Sequence, residues 1–211
     1  MLKRRLLLSL SGVVISAVCV GLFKFAALGV DPFTVLPTGL DQLLPLSYGA
    51  LYILTNAVML LFGLWADRHY IGIATFFNLF LVGYITQYSH ALFCKLFPAP
   101  TLPGRFIALL IALTVLCFGS ALYITADLGV SAYDAIALIL ANTWKLAKFK
   151  YLRICTDVLC VIAGTLLFLW GGGSLREITA IAGIATIITA FFMGPLVDLF
   201  QTKVAIPLLH I

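Results

Sequence analysis

Three aspartates in otherwise apolar stretches are the residues of this sequence whose chemistry points most directly to a site. Asp31 and Asp134 each stand at the start of a short apolar segment, and Asp157 stands in the first two turns of a long one. A carboxylate at membrane depth costs several kcal/mol unless it is paired or wet. Such groups suit the handling of protons or cations, so we expect all three aspartates to contact an ion or a substrate.

Asp157 also has a structural interpretation. Arg153 lies one turn earlier on the same apolar stretch, and residues four apart on a helix are neighbours that can form an ion pair. Ion binding and a structural salt bridge are therefore alternatives for Asp157.

Enzymatic chemistry finds little support. His69, His90 and His210 are scattered near the ends of apolar stretches, and the five cysteines form no Cys-x-x-Cys pair. Isolated cysteines in apolar runs are typical of packing residues rather than of metal or redox sites. We expect no enzyme activity, no catalytic residue, no metal and no cofactor.

The elements that must position the aspartates are membrane-spanning helices. Hydrophobic residues make up 63% of the chain and charged residues 10%, and the mean hydropathy is +1.16; soluble domains are roughly 45–50% apolar and about 25% charged. Long unbroken apolar runs indicate an all-α polytopic membrane protein rather than a β-barrel. We predict six transmembrane helices, at 6–26, 48–65, 71–93, 105–126, 152–170 and 178–200.

Two shorter apolar segments, 32–44 and 132–144, are too short to cross a bilayer. Asp31-Pro32 is a favourable helix start, and Ser131-x-x-Asp134 resembles a capping box. Each segment is therefore predicted to be a capped short helix. It is either a re-entrant half-helix with its N-terminus near the membrane middle or an amphipathic helix on the interface.

The chain contains an internal repeat. Three marks recur in the same order, 100, 101 and 111 residues later: Ala27–Thr34 as Asp127–Asp134, Thr55-Asn56 as Thr156-Asp157, and Gly72-Ile73-Ala74-Thr75 as Gly183-Ile184-Ala185-Thr186. The Gly-Ile-Ala-Thr segments place small residues on one helix face, which favours close packing. Alternatively, their threonine hydroxyls line a path. Our predicted substrate or ion site consists of Asp31, Asp134, Asp157, Asn56, Thr75 and Thr186.

The repeat divides the membrane domain into a first three-helix repeat at 1–97, a connecting loop at 98–104 and a second repeat at 105–211. Because each repeat holds three spans, the second must enter the bilayer from the opposite side. Such inverted repeats are common in secondary transporters.

Basic residues set the predicted orientation, because positive loops favour the cytoplasm. With the N-terminus inside, nine basic residues lie inside and four outside. The inner set is Lys3, Arg4, Arg5, Arg68, Lys145, Lys148, Lys150, Arg153 and Lys203, and the outer set is Lys24, Lys95, Arg105 and Arg176. We therefore expect both termini to be cytoplasmic. The net charge of +5 suits an anionic lipid leaflet and requires no nucleic acid partner. The small-residue faces would permit a homodimer.

Several of these motifs resemble the YczE/YyaS/YitT group of bacterial membrane proteins. The corresponding stretches are Leu28–Thr34, Gly39-Leu40 and Gly72–Thr75. The resemblance implies a bacterial inner-membrane protein described as a candidate transporter, and it supplies no substrate. The sequence departs from the group at Phe33, where Trp is usual, and at Thr34, where Asp is usual.

We therefore expect a secondary transporter or exporter of an unidentified small molecule across the bacterial inner membrane, with proton coupling as one option. Two alternatives are a channel or a lipid-handling, scramblase-like protein, and a non-transporting membrane scaffold or regulator.

Overall fold

The structure is a computed structural model that describes residues 2–98, 100–175 and 177–210. These residues form helices joined by short turns and loops, and they contain no β-strand. The outer position predicted for Arg176 lies outside the described residues. The helices are α1 Leu2–Ala26, α2 Pro32–Leu40, α3 Tyr48–Ala66, α4 Ile73–Leu96, α5 Leu102–Ala126, α6 Ala132–Leu138, α7 Phe149–Trp170, α8 Ile178–Ile181, α9 Ile184–Phe200 and α10 Ile206–His210. A 3₁₀ turn at Arg68–Tyr70 precedes α4, and π turns at Ile139–Thr143 and Gln201–Ala205 follow α6 and α9.

Five of the helical stretches are long and apolar enough to cross a membrane: α1, α3, α5, α7 and the continuous stretch Ile184–Leu209. The chain is thus an all-α, multi-pass membrane protein, as its composition predicts. Helix α4 is 24 residues long but is not among the five. Polar side chains such as Asn78, Gln87 and His90 interrupt its apolar sequence, so a sixth span stays a prediction.

The last predicted span begins later than the apolar pattern suggests. Residues 178–181 form the separate single turn α8, and α9 starts only at Ile184. Leu28 approaches the backbone at this break, where its carbonyl accepts a hydrogen bond from Ala185 N at 2.9 Å. The N–H groups at the start of α9 therefore bind another segment instead of extending the helix backwards.

Helices α1 and α5 form the centre of the bundle. A Cβ added at Gly12 would lie 2.6 Å from the carbonyl oxygen of Gly119, so the two backbones touch where they cross, as small residues allow in membrane helices. Helix α4 packs on α1, and α9 packs on α5. Fully buried apolar side chains such as Ala17, Phe23 and Ala112 fill these contacts.

The same turn occurs twice, after α1 and after α5. Ala27 and Asp127 both adopt a left-handed backbone conformation, with φ of 50° and 54°, and Gly29 and Gly129 follow with φ of 115° and 97°. Glycine adopts such angles without steric cost. The sharp turns reverse the chain, so that the next residues return toward the interior and start α2 and α6.

Each turn is held by the opposite half of the chain. The Thr186 hydroxyl donates to the Val30 carbonyl at 2.7 Å, and the Thr75 hydroxyl donates to the Val130 carbonyl at 2.7 Å. Helix α2 also packs on α7, and α6 packs on α3. These exchanged contacts fix the positions of the two short helices relative to each other.

The N-terminal turns of α2 and α6 meet inside the protein. The rings of Phe33 and Tyr133 stack with centroids 5.0 Å apart and planes 23° from parallel. Both residues are buried. The predicted caps are present: Asp31 accepts from Thr34 N at 3.4 Å, and Ser131 accepts from Asp134 N at 3.0 Å. The capped ends therefore bring the predicted aspartates to the centre of the bundle.

Candidate substrate- and ion-binding site

A cavity of about 60 Å³ lies where α2 and α6 meet. Its polar lining comes from the starts of both short helices and from every long helix except α9. Helix α9 contributes the apolar residue Met193. The polar residues are Ser16, Asp31, Tyr52, Asn78, Ser120, Tyr123, Ser131, Tyr133, Asp134 and Arg153. A water needs roughly 10–15 Å³ of such space, so the cavity has room for a small ion or molecule.

Asp31 reaches the cavity as the N-cap of α2. Its Oδ2 accepts a hydrogen bond from the Thr34 hydroxyl, in addition to the backbone bond to Oδ1. Pro32 follows at the first helical position, where a missing N–H costs nothing. The Asp31 carboxylate has no salt bridge to a basic residue within the described part of the chain.

Asp134 occupies the first turn of α6 and has a fuller set of partners. Its Oδ2 accepts from the Ser131 hydroxyl at 2.6 Å and from the Tyr123 hydroxyl, and its Oδ1 binds Arg153 Nη1. The two hydroxyl donors come from α5 and from the α6 cap. Asp134 is therefore held by three side chains, those of Ser131, Tyr123 and Arg153.

Arg153 links the two aspartates of the second half. Its Nε lies 3.2 Å from Asp157 Oδ1, which also accepts from the Tyr133 hydroxyl. The guanidinium carbon sits 4.4 Å from the centroid of the Tyr133 ring, in the range of a cation–π contact. The salt bridge considered for Asp157 is thus present, while Asp157 Oδ2 is buried without a hydrogen-bond partner among the described residues.

The burial of Arg153 changes the charge count used for orientation. Its side chain is only 7% exposed, so it is an internal residue of α7 rather than part of an inner loop. Without Arg153, the prediction counts eight basic residues on the cytoplasmic side and four on the outer side. The bias keeps its sign.

Negative charge exceeds positive charge around the cavity. Asp31, Asp134 and Asp157 expose 8%, 4% and 0% of their surface, and Arg153 exposes 6%. Arg153 binds Asp134 and Asp157 directly, whereas Asp31 interacts with Arg153 and with Lys24 of α1 only electrostatically, without a salt bridge in the described residues. Burying an unpaired charge is expensive, so this arrangement favours the uptake of protons or of a further cation.

The other predicted site residues occupy different places. Asn56 is buried one turn after Tyr52 and donates to the Tyr52 carbonyl at 2.9 Å. Thr75 and Thr186 hold the two turns that precede α6 and α2. None of these three residues belongs to the cavity lining, so any contact with a substrate stays a prediction.

The sequence did not predict that four aromatic residues line the cavity. Phe33 and Tyr133 stack on each other, Tyr52 meets Phe33 edge-on at 5.4 Å, and Tyr123 binds Asp134. A signal for the first two existed, because Phe33 and Tyr133 occupy equivalent positions of the repeat. Tyr123 carries no comparable mark in the sequence.

Comparisons with known proteins place most of the chain in one family. Residues 3–202 match the model of a family described as a family of unknown function, DUF6198. A protein of Haemophilus influenzae (strain ATCC 51907 / DSM 11121 / KW20 / Rd), described as uncharacterized, is 26% identical over 186 residues, which cover 88% of this chain and 78% of that protein. No solved structure matches the chain. The resemblance to the YczE/YyaS/YitT group stays a prediction.

Proposed function

We propose that this chain, which belongs to the DUF6198 family of unknown function, is a proton-coupled secondary transporter or exporter of a small molecule across the bacterial inner membrane. The observation that carries the proposal is the excess of carboxylates around a buried cavity at the meeting point of two short helices. Ionisable groups inside a membrane protein are costly and typically mark ion or substrate pathways.

The proposed membrane arrangement has six spans in two inverted repeats, with both termini cytoplasmic. Helix α4 is the sixth span, since its 24 residues are long enough to cross. Support for the repeats comes from the paired left-handed turns and from the matching threonine bonds to Val30 and Val130. In this arrangement α2 and α6 are re-entrant half-helices that enter from opposite sides.

The proposed mechanism is a rocking of the two halves around the central cavity. Secondary transporters with inverted repeats bind substrates near the membrane middle, beside broken helices. Each half here holds the turn that starts the short helix of the other, so a movement of one half displaces the lining contributed by both. Proton uptake on Asp31, Asp134 or Asp157 would change the charge of the cavity between its two openings.

Reconstitution into liposomes tests the proposal. The vesicles contain a pH-sensitive dye and are exposed to a panel of metabolites. We expect substrate-dependent proton flux with the natural chain and a loss of that flux in the double variant Asp134→Asn/Asp157→Asn. Flux is normalised to the amount of folded protein, because the double variant leaves the buried Arg153 charge without its two salt-bridge partners. The matched control is Asp198→Asn, which neutralises an exposed aspartate of α9.

Flux that is unchanged in the double variant would remove these aspartates from the mechanism. Conductance without coupling would indicate a channel, and transfer of labelled lipid between leaflets would indicate a scramblase-like protein. A complete lack of flux, together with a cellular function that is lost when the exposed basic residues Lys145, Lys148 and Lys150 are changed, would favour a scaffold or regulator.

A further inference from the structure

The cavity combines its acidic character with a wall of aromatic rings. Phe33, Tyr52, Tyr123 and Tyr133 all line it. Phe33 lies between Tyr52 and Tyr133, with ring centroids 5.4 Å and 5.0 Å away. The faces of aromatic rings attract ammonium-type cations, and clusters of such rings recognise methylated ammonium groups.

The protein already places one cation of its own against this wall. The Arg153 guanidinium lies over the Tyr133 ring and is bound by Asp134 and Asp157. Asp31, on the other short helix, forms no salt bridge in the described residues, and Lys24 of α1 and Arg153 act on its charge only electrostatically. The cavity can therefore accept one more positive charge next to Asp31, whereas an anion would meet net negative charge.

The cavity also contains a buried hydroxyl, that of Ser16, that a ligand could bind. Ser16 of α1 lines the cavity, is 7% exposed, and its Oγ has no hydrogen-bond partner among the described residues. An unsatisfied buried polar group costs about 1–3 kcal/mol, which a ligand with an N–H donor would relieve. Ser9 of the same helix is also buried, with 2% of its surface exposed, and its Oγ also lacks a partner among the described residues, but it does not line the cavity.

The remaining lining favours an ammonium group over a metal ion. Val20, Val82 and Leu116 contribute apolar surface, which suits a methyl group better than a hydrated metal. Within the described residues, no group of three or more His, Cys, Asp or Glu side chains converges as metal ligands would. The volume of about 60 Å³ limits the ligand to a few heavy atoms.

We infer that this cavity binds a small monovalent ammonium-type cation, with the Asp31 carboxylate as counter-ion, the aromatic rings as its walls and the Ser16 hydroxyl as hydrogen-bond acceptor. The inference deepens the proposed transport function and rests on it for its physiological role. In that role the bound cation and protons compete for the same carboxylates, which would make transport an exchange of one for the other.

Ligand-observed NMR on the purified full chain in detergent tests the inference. The probe is methylammonium chloride, and sodium chloride and sodium acetate are compared at the same ionic strength. We expect saturation transfer to the methyl group of methylammonium, none to that of acetate, and displacement of methylammonium by sodium only at much higher concentration. Acetate binding, or equally potent displacement by sodium, would overturn the assignment.

Two substitutions locate the binding. Asp31→Asn keeps a residue that can cap α2 but removes the charge, and it should weaken methylammonium binding at least tenfold. Ser16→Ala should weaken it about tenfold, since a hydrogen bond to a charged group contributes roughly 1.5 kcal/mol or more. Ser9→Ala should have no effect. Equal effects of Ser16→Ala and Ser9→Ala would contradict the proposed location.

Transport and binding can fail separately. Flux of other solutes in liposomes without methylammonium binding would overturn the ligand class and leave the transport proposal intact. Methylammonium binding at Asp31 without flux of any solute would support the ligand class and overturn transport.

Discussion

Loss of the buried guanidinium should be among the most destabilising single changes in this protein. Arg153→Met would remove the only described basic partner of Asp134 and Asp157. Methionine fits a similar space without a charge. Removing one partner of a buried ion pair costs about 3–5 kcal/mol because the other charge is left uncompensated. For a chain of this length, 1 kcal/mol corresponds to roughly 2–4 °C, so we expect the melting temperature to fall by about 6–20 °C.

The cysteines of the chain offer a direct assay. Cys19, Cys117 and Cys160 are buried, while Cys94 and Cys155 are exposed. After the two exposed cysteines are replaced by serine, a thiol-reactive fluorogenic dye should react only as the protein unfolds. The midpoint of the fluorescence rise during heating in detergent then gives the melting temperature.

Two further variants separate lost charge pairing from lost packing. Arg68→Met makes the same substitution at an exposed arginine and should shift the midpoint little. The triple variant Arg153→Met/Asp134→Asn/Asp157→Asn removes both stranded carboxylates and should recover most of the loss, since neutral replacement of a whole buried ion cluster is often tolerated. The electrostatic reasoning is wrong if Arg153→Met has the same melting temperature as the unchanged chain. It is also wrong if the triple variant is no more stable than Arg153→Met alone.

Other changes should produce smaller and equally specific effects. Gly29→Ala and Gly172→Ala both place alanine at positive φ, but only the Gly29 Cβ would meet another residue, 2.7 Å from Thr186 Oγ1; thermal unfolding should show Gly29→Ala to be less stable by about 1–3 kcal/mol. Thr186→Val should cost about 1–3 kcal/mol by stranding a buried carbonyl, whereas Thr186→Ser should keep the bond, and the same assay distinguishes them. Asp67 lies in the loop after α3, and its carboxyl accepts a hydrogen bond at 2.6 Å from the hydroxyl of Thr143, in the π turn after α6. This bond lowers the pKa of the Asp67 carboxyl. This contribution to stability is present above the ordinary carboxyl pKa and is lost as the pH falls through the lowered value; a ¹³C NMR titration should show that Thr143→Val raises the pKa of Asp67, and an unchanged pKa would contradict the bond.

Local sequence signals predicted the two short helices well. Asp31 followed by proline, and Ser131 three residues before Asp134, are capping patterns that act within one turn of the chain. Gly29 likewise marks a left-handed turn through its own backbone freedom. These features depend on neighbours in sequence, so a single sequence suffices to recognise them.

Contacts between residues that are distant in sequence could not be recognised from such local signals. Arg153 lies four residues before Asp157, and this spacing predicts their ion pair. Its bond to Asp134 joins residues 19 apart and exists only because α6 turns back into the bundle. The hydrogen bond of Thr186 to Val30 joins residues 156 apart. Sequence spacing therefore did not predict that Thr186 stabilises the turn of the opposite half, and its proposed contact with a substrate stays a prediction.

The central claim is that the two three-helix repeats lie in opposite orientations in the membrane. The most direct test is to find on which side of the membrane each end of the first repeat lies. In a background with all five cysteines replaced, Lys3→Cys marks the N-terminus and Pro100→Cys marks the connection between the halves. Both variants are labelled in sealed vesicles of known orientation with a membrane-impermeant maleimide. Three spans between the two positions predict that external reagent reaches position 100 and not position 3 in right-side-out vesicles, with the reverse in inverted ones. Labelling of both positions from the same side would contradict the inverted arrangement and the transport mechanism that depends on it.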